Sequence, residues 1–308
     1  MEIEYDYSIE KFLLPRYRIS PFETCDYSSN LEILAAGCEV NATPDVLARD
    51  DDYGSPIFTR QGREALNLAL RALSLRSSDT VTIFTTTGSE YISGCVTDTI
   101  SSHCKWKRKI VDSTKCILVI HEFGKMFPDI RSLTKFDIPI IEDCAYAFPS
   151  LFCGEKHAGD HLIFSLSKYL PIQQGGLLIS KKDILNDRRV GHYEELAEKV
   201  FRHYEGDFLS IFRKRKDIES VYVEEFSKIG MRPYFNYSSN ECPGAFVVEI
   251  MRSLAELECM KKFLQGREVE CSIYYGNNAM FLPCHQKMTA YDVQYIVGLI
   301  KHTLGRSS

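Results

Sequence analysis

The sequence predicts an α/β fold in which a mostly parallel sheet carries helices on both faces. Short apolar runs alternate with segments of helical or loop character: VTIFT, KCILVIHEF, IPIIEDC, HLIFSLS and GGLLIS. Such alternation is typical of strands that are buried between two layers of helices. With 308 residues, of which 44% are hydrophobic, the chain can bury a large core and form two lobes.

The first predicted element ahead of the strands is a helix that is entered through a glycine. Gly62 precedes apolar residues that recur at helical spacing, namely Ala65, Leu68, Ala69, Ala72 and Leu73. The turn-like residues 77–79, Ser-Ser-Asp, then lead into the run VTIFT. The remaining runs follow it in order as further strands.

The last third of the chain has a different texture and predicts a second, smaller domain. From residue 192 the sequence is long, charged and helical in period, so we expect a large domain over 1–191 and a small one over 192–308, with the N-terminal segment packing on the small domain. Within the small domain, the pattern predicts a helix over about 245–264, an extended stretch over 271–275, and a final helix whose N-cap is Thr289.

Composition excludes several classes of protein. The net charge of -5 argues against a protein that binds nucleic acid through its backbone. The sequence shows neither a secretion signal nor an apolar run of about 18 residues, which predicts a cytoplasmic protein with no membrane span. The eleven cysteines are scattered without a CxxC pair, and the histidines lack ligand spacing, so we expect reduced thiols and no metal site.

Polar groups follow two predicted strands and begin one predicted helix. Asp143 comes after the run IPII, Lys168 lies three residues beyond Ser165 at the end of HLIFSLS, and Gly62 begins a helix whose free N–H groups attract anions. Pyridoxal 5'-phosphate (PLP) needs a lysine for its aldehyde, an acid for its pyridine nitrogen and a phosphate cradle. Taken singly, an acid or a lysine after a strand is more often structural or solvated.

Four segments together resemble the DegT/DnrJ/EryC1/StrS family of sugar aminotransferases. They correspond to the family's Ser-Gly-Thr helix, its Val-His-x-x-Gly run with the Glu-Asp-x-Ala block, its lysine-to-Gly-Gly block and its closing Leu-Pro-x-His pattern: QGREALNLALRALSLRSSDTVTI, VIHEFGKMFPDIRSLTKFDIPIIEDCAYAF, GDHLIFSLSKYLPIQQGGLLIS and YYGNNAMFLPCHQKMTAYDVQYIVGLI. The resemblance implies the PLP-dependent transferase type I fold, with a smaller α+β C-terminal domain, and PLP as cofactor.

The resemblance also implies roles for individual residues. Lys168 would bind PLP and later move the proton between substrate and cofactor, and Asp143 would pair with the pyridinium. Ser165, Gly62 and Arg63 would form the phosphate cup.

The resemblance implies roles for four more residues, and two of these roles have an alternative. Tyr146 replaces a family glutamine near the phenolic oxygen of the cofactor. Tyr91 would stack on the cofactor ring, or be an ordinary core aromatic. Asn240, which we prefer to Asn236, would reach the phosphate from the second subunit of a homodimer, or be only a turn residue. His121 would support the sheet edge.

The implied activity is transfer of an amino group, from glutamate, to a keto group of a nucleotide-linked sugar in polysaccharide, glycan or antibiotic sugar biosynthesis. The chain departs from the family at residues 61–63, where Gln-Gly-Arg replaces Ser-Gly-Thr, and in shortened segments. These departures leave an alternative: a noncatalytic or regulatory relative that keeps the fold or the cofactor. The basic runs at 105–109 and 213–216 are expected to be solvated faces, the first with nucleotide diphosphate binding as its alternative.

Overall fold

The computed structural model describes residues 15–36, 53–147, 157–181, 184 and 191–305. The helices are α1 Asp26–Ala35, α2 Gly62–Ala72, α3 Gly94–Ser101, α4 His192–Tyr204, α5 Phe208–Ser227, α6 Leu254–Gln265 and α7 Ala290–Gly305. The strands are β1 Ile57–Thr59, β2 Thr80–Thr85, β3 Lys105–Lys107, β4 Thr114–Ile120, β5 Ile140–Asp143, β6 His161–Ser165, β7 Gly176–Ser180, β8 Phe246–Glu249, β9 Ser272–Tyr274 and β10 Ala279–Leu282.

A seven-stranded sheet forms the centre of the large lobe, in the order β1-β7-β6-β5-β4-β2-β3. Strands β3, β2, β4, β5 and β6 run parallel, whereas β7 and β1 pair antiparallel at one side. The inner strands are buried along almost their whole length, because helices cover both faces. The five predicted strands and the α/β class are confirmed.

Helix α2 forms where the spacing of apolar residues predicts it. Its buried side, which includes Leu66 and Leu70, packs with Val81, Ile83 and Leu118 of the sheet in one apolar core. The helix therefore begins at the carboxyl end of β6 and is fixed there by burial of its inner face.

The small lobe is a three-stranded antiparallel sheet, β8-β10-β9, covered by α6 and α7. The predicted helix over about 245–264 is wrong at its start, since Phe246–Glu249 is a strand and α6 begins at Leu254. The apolar run Phe-Val-Val favours a strand, and Ser253 starts the helix with a capping box. The extended stretch and the Thr289 cap are confirmed, because the Asp292 N–H donates to Thr289 Oγ1 at 3.3 Å.

The predicted domain boundary at residue 192 stays a prediction, and the packing of α4 and α5 bears on where it lies. Val200 and Phe201 of α4 belong to the core of the large sheet, whereas Tyr222 and Phe226 of α5 belong to the core of the small one. We therefore propose that the boundary lies within α5. At the N-terminal side, the Tyr17 N–H donates to the Glu268 carbonyl in the small lobe at 2.9 Å.

The two basic runs have different environments. In the first run, residues 105–107 and Lys109 are exposed at or beside β3, the edge strand of the large sheet. Arg108 is half-buried and donates to Thr85 Oγ1 and to the Ser89 carbonyl, so the prediction of a solvated face is wrong for Arg108. In the second run, Arg213 and Lys214 are exposed, but Arg215 is completely buried, so the prediction of a solvated face is wrong for Arg215. Helical geometry turns this residue toward the interior between the lobes. None of the described helices is both long and apolar enough to cross a membrane.

Candidate functional site

A cavity of about 450 Å³ lies at the carboxyl ends of β4, β5 and β6, beside the N-termini of α2 and α3. Its wall includes seven of the eight predicted site residues: Gly62, Arg63, Tyr91, Asp143, Tyr146, Ser165 and Lys168. The edge at which parallel strands end is the usual place for a ligand site in such sheets. The fold therefore brings together residues that are up to about a hundred positions apart in sequence.

Lys168 ends a short 3-10 turn, Leu166–Lys168, that follows β6 directly. Its Nζ atom lies 3.2 Å from the ring centroid of Tyr146 and makes no hydrogen bond with the described residues. Burial lowers the pKa of the Lys168 amine to about 8, although the charge of Asp143 acts in the opposite direction. A sizeable fraction of the amine is therefore neutral near physiological pH, and a neutral amine can attack a carbonyl carbon.

Asp143 is the last residue of β5 and is 7% exposed. Its Oδ1 accepts a hydrogen bond from the Ala145 N–H at 2.9 Å, and Oδ2 accepts none from the described residues. Burial raises the pKa of this carboxyl, while the Ala145 N–H and the charge of Lys168 counteract the rise. Asp143 can thus accept a further hydrogen bond from a cationic N–H in the cavity.

The neighbouring acid, Glu142, is fully engaged. Its Oε2 accepts from His121 Nε2 at 2.8 Å and from His157 Nδ1 at 2.7 Å, and its Oε1 accepts from two backbone N–H groups. Burial opposes ionisation, but the hydrogen bonds and charges of His121 and His157 hold the pKa of the Glu142 carboxyl well below its usual range. Glu142 therefore stabilises the fold and leaves no oxygen for a ligand.

The same two histidines, Glu142 and Cys144 place four potential metal-ligating atoms close together. His121 Nδ1, however, accepts a hydrogen bond from the Phe127 N–H at 3.0 Å, so the ring proton is on Nε2 and points at Glu142. A metal at Nε2 would have to displace that proton from a ring whose other nitrogen is already an acceptor. The geometry is that of a hydrogen-bond network.

The candidate anion cradle is the start of α2, which borders the cavity. Gln61, the N-cap residue, makes no side-chain capping bond, and the first N–H groups of a helix have no partner within it. A Cβ on Gly62 would lie 3.3 Å from the Phe164 carbonyl oxygen and from Ser165 Cβ, so glycine allows the helix start to approach β6. Arg63 is exposed at the cavity and makes no ion pair with the described residues.

Two tyrosines form the remaining wall. The Tyr91 ring stacks on Phe123 and on Tyr275, each with centroids 6.4 Å apart, and burial raises the pKa of its hydroxyl to about 12. Tyr146 lies beneath the Lys168 amine, and its carbonyl accepts the hydroxyl of Tyr169. Tyr91 thus belongs to an aromatic cluster and also borders the cavity, so both readings of this residue stay open.

Asn240 is the one predicted residue outside the cavity. Its side chain is exposed and accepts a hydrogen bond from the Ser239 hydroxyl at 3.3 Å. A function for Asn240 at the phosphate needs a second chain, and it stays a prediction.

Several further polar residues of the cavity wall are not among the predicted site residues. Glu122 is buried and accepts hydrogen bonds from Thr87 and from the Tyr274 hydroxyl, while Cys95 lies at the N-terminal turn of α3. Further polar wall residues outside the predicted set are Ser93, Ser167, Gln173 and Gln174. Ser167 could have been found from its place between Ser165 and Lys168. The only sequence feature that could have indicated Glu122 is its position just after a strand, the same kind of position that indicates Asp143.

Residues 97–204 match the DegT/DnrJ/EryC1/StrS aminotransferase family. The match covers 108 of 308 residues and contains both Asp143 and Lys168. It confirms the resemblance that the sequence segments predict. A search of curated protein sequences finds no match.

Solved structures of aminotransferases share the fold over nearly the whole chain. The aminotransferase TlmJ from Streptoalloteichus hindustanus superposes with a TM-score of 0.73 at 15% identity, covering 94% of this chain and 99% of its own. The PLP form of Spr1654 from Streptococcus pneumoniae gives 0.71 at 15% identity, covering 93% and 98%. DesI, solved with its TDP-sugar product, gives 0.70 at 13% identity, covering 96% and 95%.

These likenesses confirm that the chain has the fold of these aminotransferases, as the resemblance implies. The family match agrees with the expected enzyme class, an aminotransferase, and with PLP as its cofactor. At identities of 13 to 15%, these structures establish the fold alone. The chemistry of the site depends on the residues of this chain.

Proposed function

We propose that this protein is a PLP-dependent aminotransferase that acts on a keto group of a nucleotide-linked sugar. The observation that carries the proposal is the Lys168 amine, which lies in the cavity, makes no hydrogen bond with the described residues and is close enough to Asp143 for that charge to raise its pKa. The family match over 97–204 supports the reaction class. The likeness to DesI, solved with a TDP-sugar product, supports the substrate class.

The cavity fits PLP in volume and in chemistry. A volume of about 450 Å³ lies within the range of cofactor sites. The start of α2, with Ser165 and Arg63, would hold the phosphate, Asp143 would accept the pyridinium N–H, and Lys168 would bind the aldehyde carbon. When bound, PLP supplies an electron sink for the bond that is broken at the substrate carbon.

The residues of the chain would perform the proton transfers and the positioning. Lys168, with a pKa lowered to about 8, can take a proton from the substrate carbon at its Nζ and return it. Asp143 would keep a proton on the ring nitrogen by accepting its hydrogen bond. Tyr146 would hydrogen-bond the phenolic oxygen through its hydroxyl, and Tyr91 would lie against the ring face.

The finer assignments extend the proposal. Glutamate is the proposed amino donor, and biosynthesis of a polysaccharide, glycan or antibiotic sugar is the proposed setting. A cytoplasmic homodimer, in which Asn240 of a second copy reaches the phosphate, is the proposed assembly. The alternative of a noncatalytic relative is favoured by residues 61–63, where two phosphate-binding hydroxyls of the family are missing.

A half-reaction separates the enzyme from the noncatalytic relative. The PLP-loaded protein is mixed with glutamate, then with other common amino acids, and the visible band of the bound cofactor is followed. Loss of the band, with release of the matching keto acid, is the expected result. Lys168→Ala should abolish the change, and the exposed Lys214→Ala should leave it intact. A cofactor that binds but reacts with no donor would favour the noncatalytic relative.

A further inference from the structure

Arg215 is a buried cation that lies outside the cavity. It sits on α5 and has no exposed surface, although Arg213 and Lys214 beside it are exposed. Its Nη2 donates to the Lys168 carbonyl at 2.6 Å, its Nη1 to the Cys284 carbonyl at 2.9 Å, and its Nε to Gln286 Oε1 at 3.0 Å. Nη1 also reaches the Pro243 carbonyl at 3.3 Å.

Every hydrogen bond of Arg215 in the described part of the chain ends on a carbonyl or amide oxygen, and none ends on a carboxylate. Burial of a guanidinium is costly unless its N–H groups are satisfied. An apolar residue could fill the same volume without that cost. What the guanidinium adds is a fixed fork of donors that ties several segments to one point.

Gln286 extends the tie to the next residue of the turn. Its Nε2 donates to the Tyr169 carbonyl at 2.7 Å, while its Oε1 accepts from Arg215. Two consecutive carbonyls, those of Lys168 and Tyr169, are therefore held by two side chains that also hold each other. Gln286 follows β10 in the small lobe, so these hydrogen bonds join the Lys168 turn of the large lobe to the small lobe.

The ring of Tyr169 continues this chain of contacts toward the cavity. The Arg215 guanidinium lies over it with its carbon 4.3 Å from the ring centroid. The Tyr169 hydroxyl donates to the Tyr146 carbonyl, and the Tyr146 ring supports the Lys168 amine. The guanidinium thus acts on Lys168 by two routes, one through its own carbonyl and one through the tyrosine beneath its amine.

We propose that Arg215 and Gln286 are positioning residues that set the place of the Lys168 amine from the small lobe. The catalytic meaning of this positioning rests on the proposed function of Lys168. The effect of Arg215 and Gln286 on the turn does not depend on that function, because their hydrogen bonds to the turn are present in the protein without cofactor. Loss of either side chain should release the turn at 166–170 and let the amine leave its position over Tyr146.

Hydrogen exchange in the cofactor-free protein tests this effect on the turn. The Tyr169 and Leu170 N–H groups both donate to the Leu166 carbonyl, so their exchange reports opening of the turn. Arg215→Met and Gln286→Met should each speed exchange in a peptide covering 166–172 by about tenfold or more, with α2 and α7 unchanged. The matched control is Arg213→Met on the exposed side of α5. Unchanged exchange in both variants overturns the proposal.

Arg215→Met leaves several buried carbonyls without donors and could unfold the protein. Gln286→Met removes only two bonds, so it decides the question if Arg215→Met does not fold. Uniformly faster exchange across the small lobe in Gln286→Met, with no excess at 166–172, means a general structural function and overturns the proposal.

PLP binding gives the second readout, and it separates this inference from the proposed function. We expect Gln286→Met to weaken PLP binding about tenfold and Arg215→Lys to retain more affinity than Arg215→Met, because lysine keeps the charge and one donor. The effects of the Arg215 and Gln286 changes should be non-additive, since the two side chains share a bond. Equal affinity in Gln286→Met and Arg213→Met would contradict positioning. Failure of the unaltered protein to bind PLP would contradict the proposed function and leave the exchange test standing.

Discussion

Two adjacent acids, Glu142 and Asp143, show how the environment of a residue decides its function. Successive side chains of a strand point to opposite faces, so β5 directs Glu142 toward His121 and His157, and Asp143 toward the cavity. Four hydrogen bonds consume the oxygens of Glu142, whereas Asp143 keeps Oδ2 available. From the sequence, only the resemblance to the family distinguishes Asp143 from Glu142.

Asp143→Asn should separate binding from turnover. Asparagine keeps the volume but presents a neutral amide, so it cannot hold a positive charge on the ring nitrogen. We expect PLP to bind, while the rate of the half-reaction with the best donor falls on the order of 10²-fold or more. Stopped-flow absorbance measures that rate. A variant that reacts as fast as the unaltered protein would remove Asp143 from the mechanism, and exposed Asp98→Asn is the control.

The capture of PLP by Lys168 should depend on pH around 8. A lysine captures an aldehyde only as the neutral amine, whose fraction grows as pH rises through the pKa. Because burial lowers that pKa from 10.5 to about 8, the capture rate should rise between about pH 7 and 9 and then level off. A rise of the capture rate centred near pH 10.5, as expected for the side-chain amine of free Nα-acetyl-lysine, would contradict burial of the Lys168 amine.

Asp143→Asn should lower the pH at which the capture rate of PLP is half-maximal. The negative charge of Asp143 raises the pKa of Lys168, so its removal should shift the midpoint of the capture rate to lower pH. The rate of visible absorbance change against pH gives both midpoints. A shift to higher pH, or no shift, means that Asp143 is not ionised beside Lys168.

Some site residues could be predicted from the sequence and others could not, for a physical reason. Lys168, Asp143 and Gly62 mark the ends of strands and the start of a helix, and these are local patterns. Arg215 could not be recognised, because a charged run on a helix usually faces solvent and only the approach of the other lobe buries it. Glu122 likewise could not be recognised, because it is held at the cavity by Thr87 and Tyr274, which are distant from it in the sequence.

At the scale of elements, the Gly-Gly pair after the Lys168 turn lets α2 begin against the sheet. A Cβ on Gly176 would overlap the backbone of Gln61 and the Thr59 hydroxyl. The backbone of Gln61 also bridges to Gly175, so the helix start passes directly over this pair. The spacing from Lys168 to Gly175 thus links the position of the lysine to that of the anion cradle.

Gly176→Ala should destabilise the protein by about 1 to 3 kcal/mol, because backbone has to move to make room. Denaturant unfolding measures the change. Gly298→Ala is the control, since nothing lies within 4 Å of a Cβ at that position in α7 and alanine favours a helix. Equal stabilities of the two variants would show that β7 and α2 do not approach as closely as described.

Ser253→Ala should lower the free energy of unfolding by about 1 kcal/mol. Ser253 accepts from the Glu256 N–H, and the Glu256 side chain accepts from the Ser253 N–H, so the change removes half of a capping box. Ser220→Ala, on the exposed side of α5, should have little effect or stabilise slightly. Thermal unfolding of both variants checks the difference, and a neutral Ser253→Ala would contradict the cap.

The sequence pattern predicts most elements but misses four short strands, β1, β3, β8 and β10. Strands β1 and β3 have three residues each, too few to show a period, and β8 lies in an apolar run that precedes a helix. Without a partner strand in view, such a run cannot be told from the first turn of that helix. The pairing of β8 with β10 settles the difference through tertiary contact.

At the scale of the whole molecule, the cores of the two lobes meet along α5. The fold class is predictable because five buried runs separated by helices allow few architectures. The lobe boundary is harder to predict from the sequence. Helix α5 is continuous, yet its first turns pack on the core of the large lobe and its last turns pack on the core of the small lobe. Arg215 lies between these two parts and joins them to the Lys168 turn.

The central claim is that PLP binds this protein through the Lys168 amine. Borohydride reduction of the PLP-treated protein, followed by peptide mass analysis, tests it most directly because reduction fixes the cofactor on the lysine that holds it. We expect a single pyridoxyl-phosphate adduct on Lys168, and no adduct at comparable yield in Lys168→Ala. An adduct spread over exposed lysines, or the same yield in both proteins, would contradict the claim.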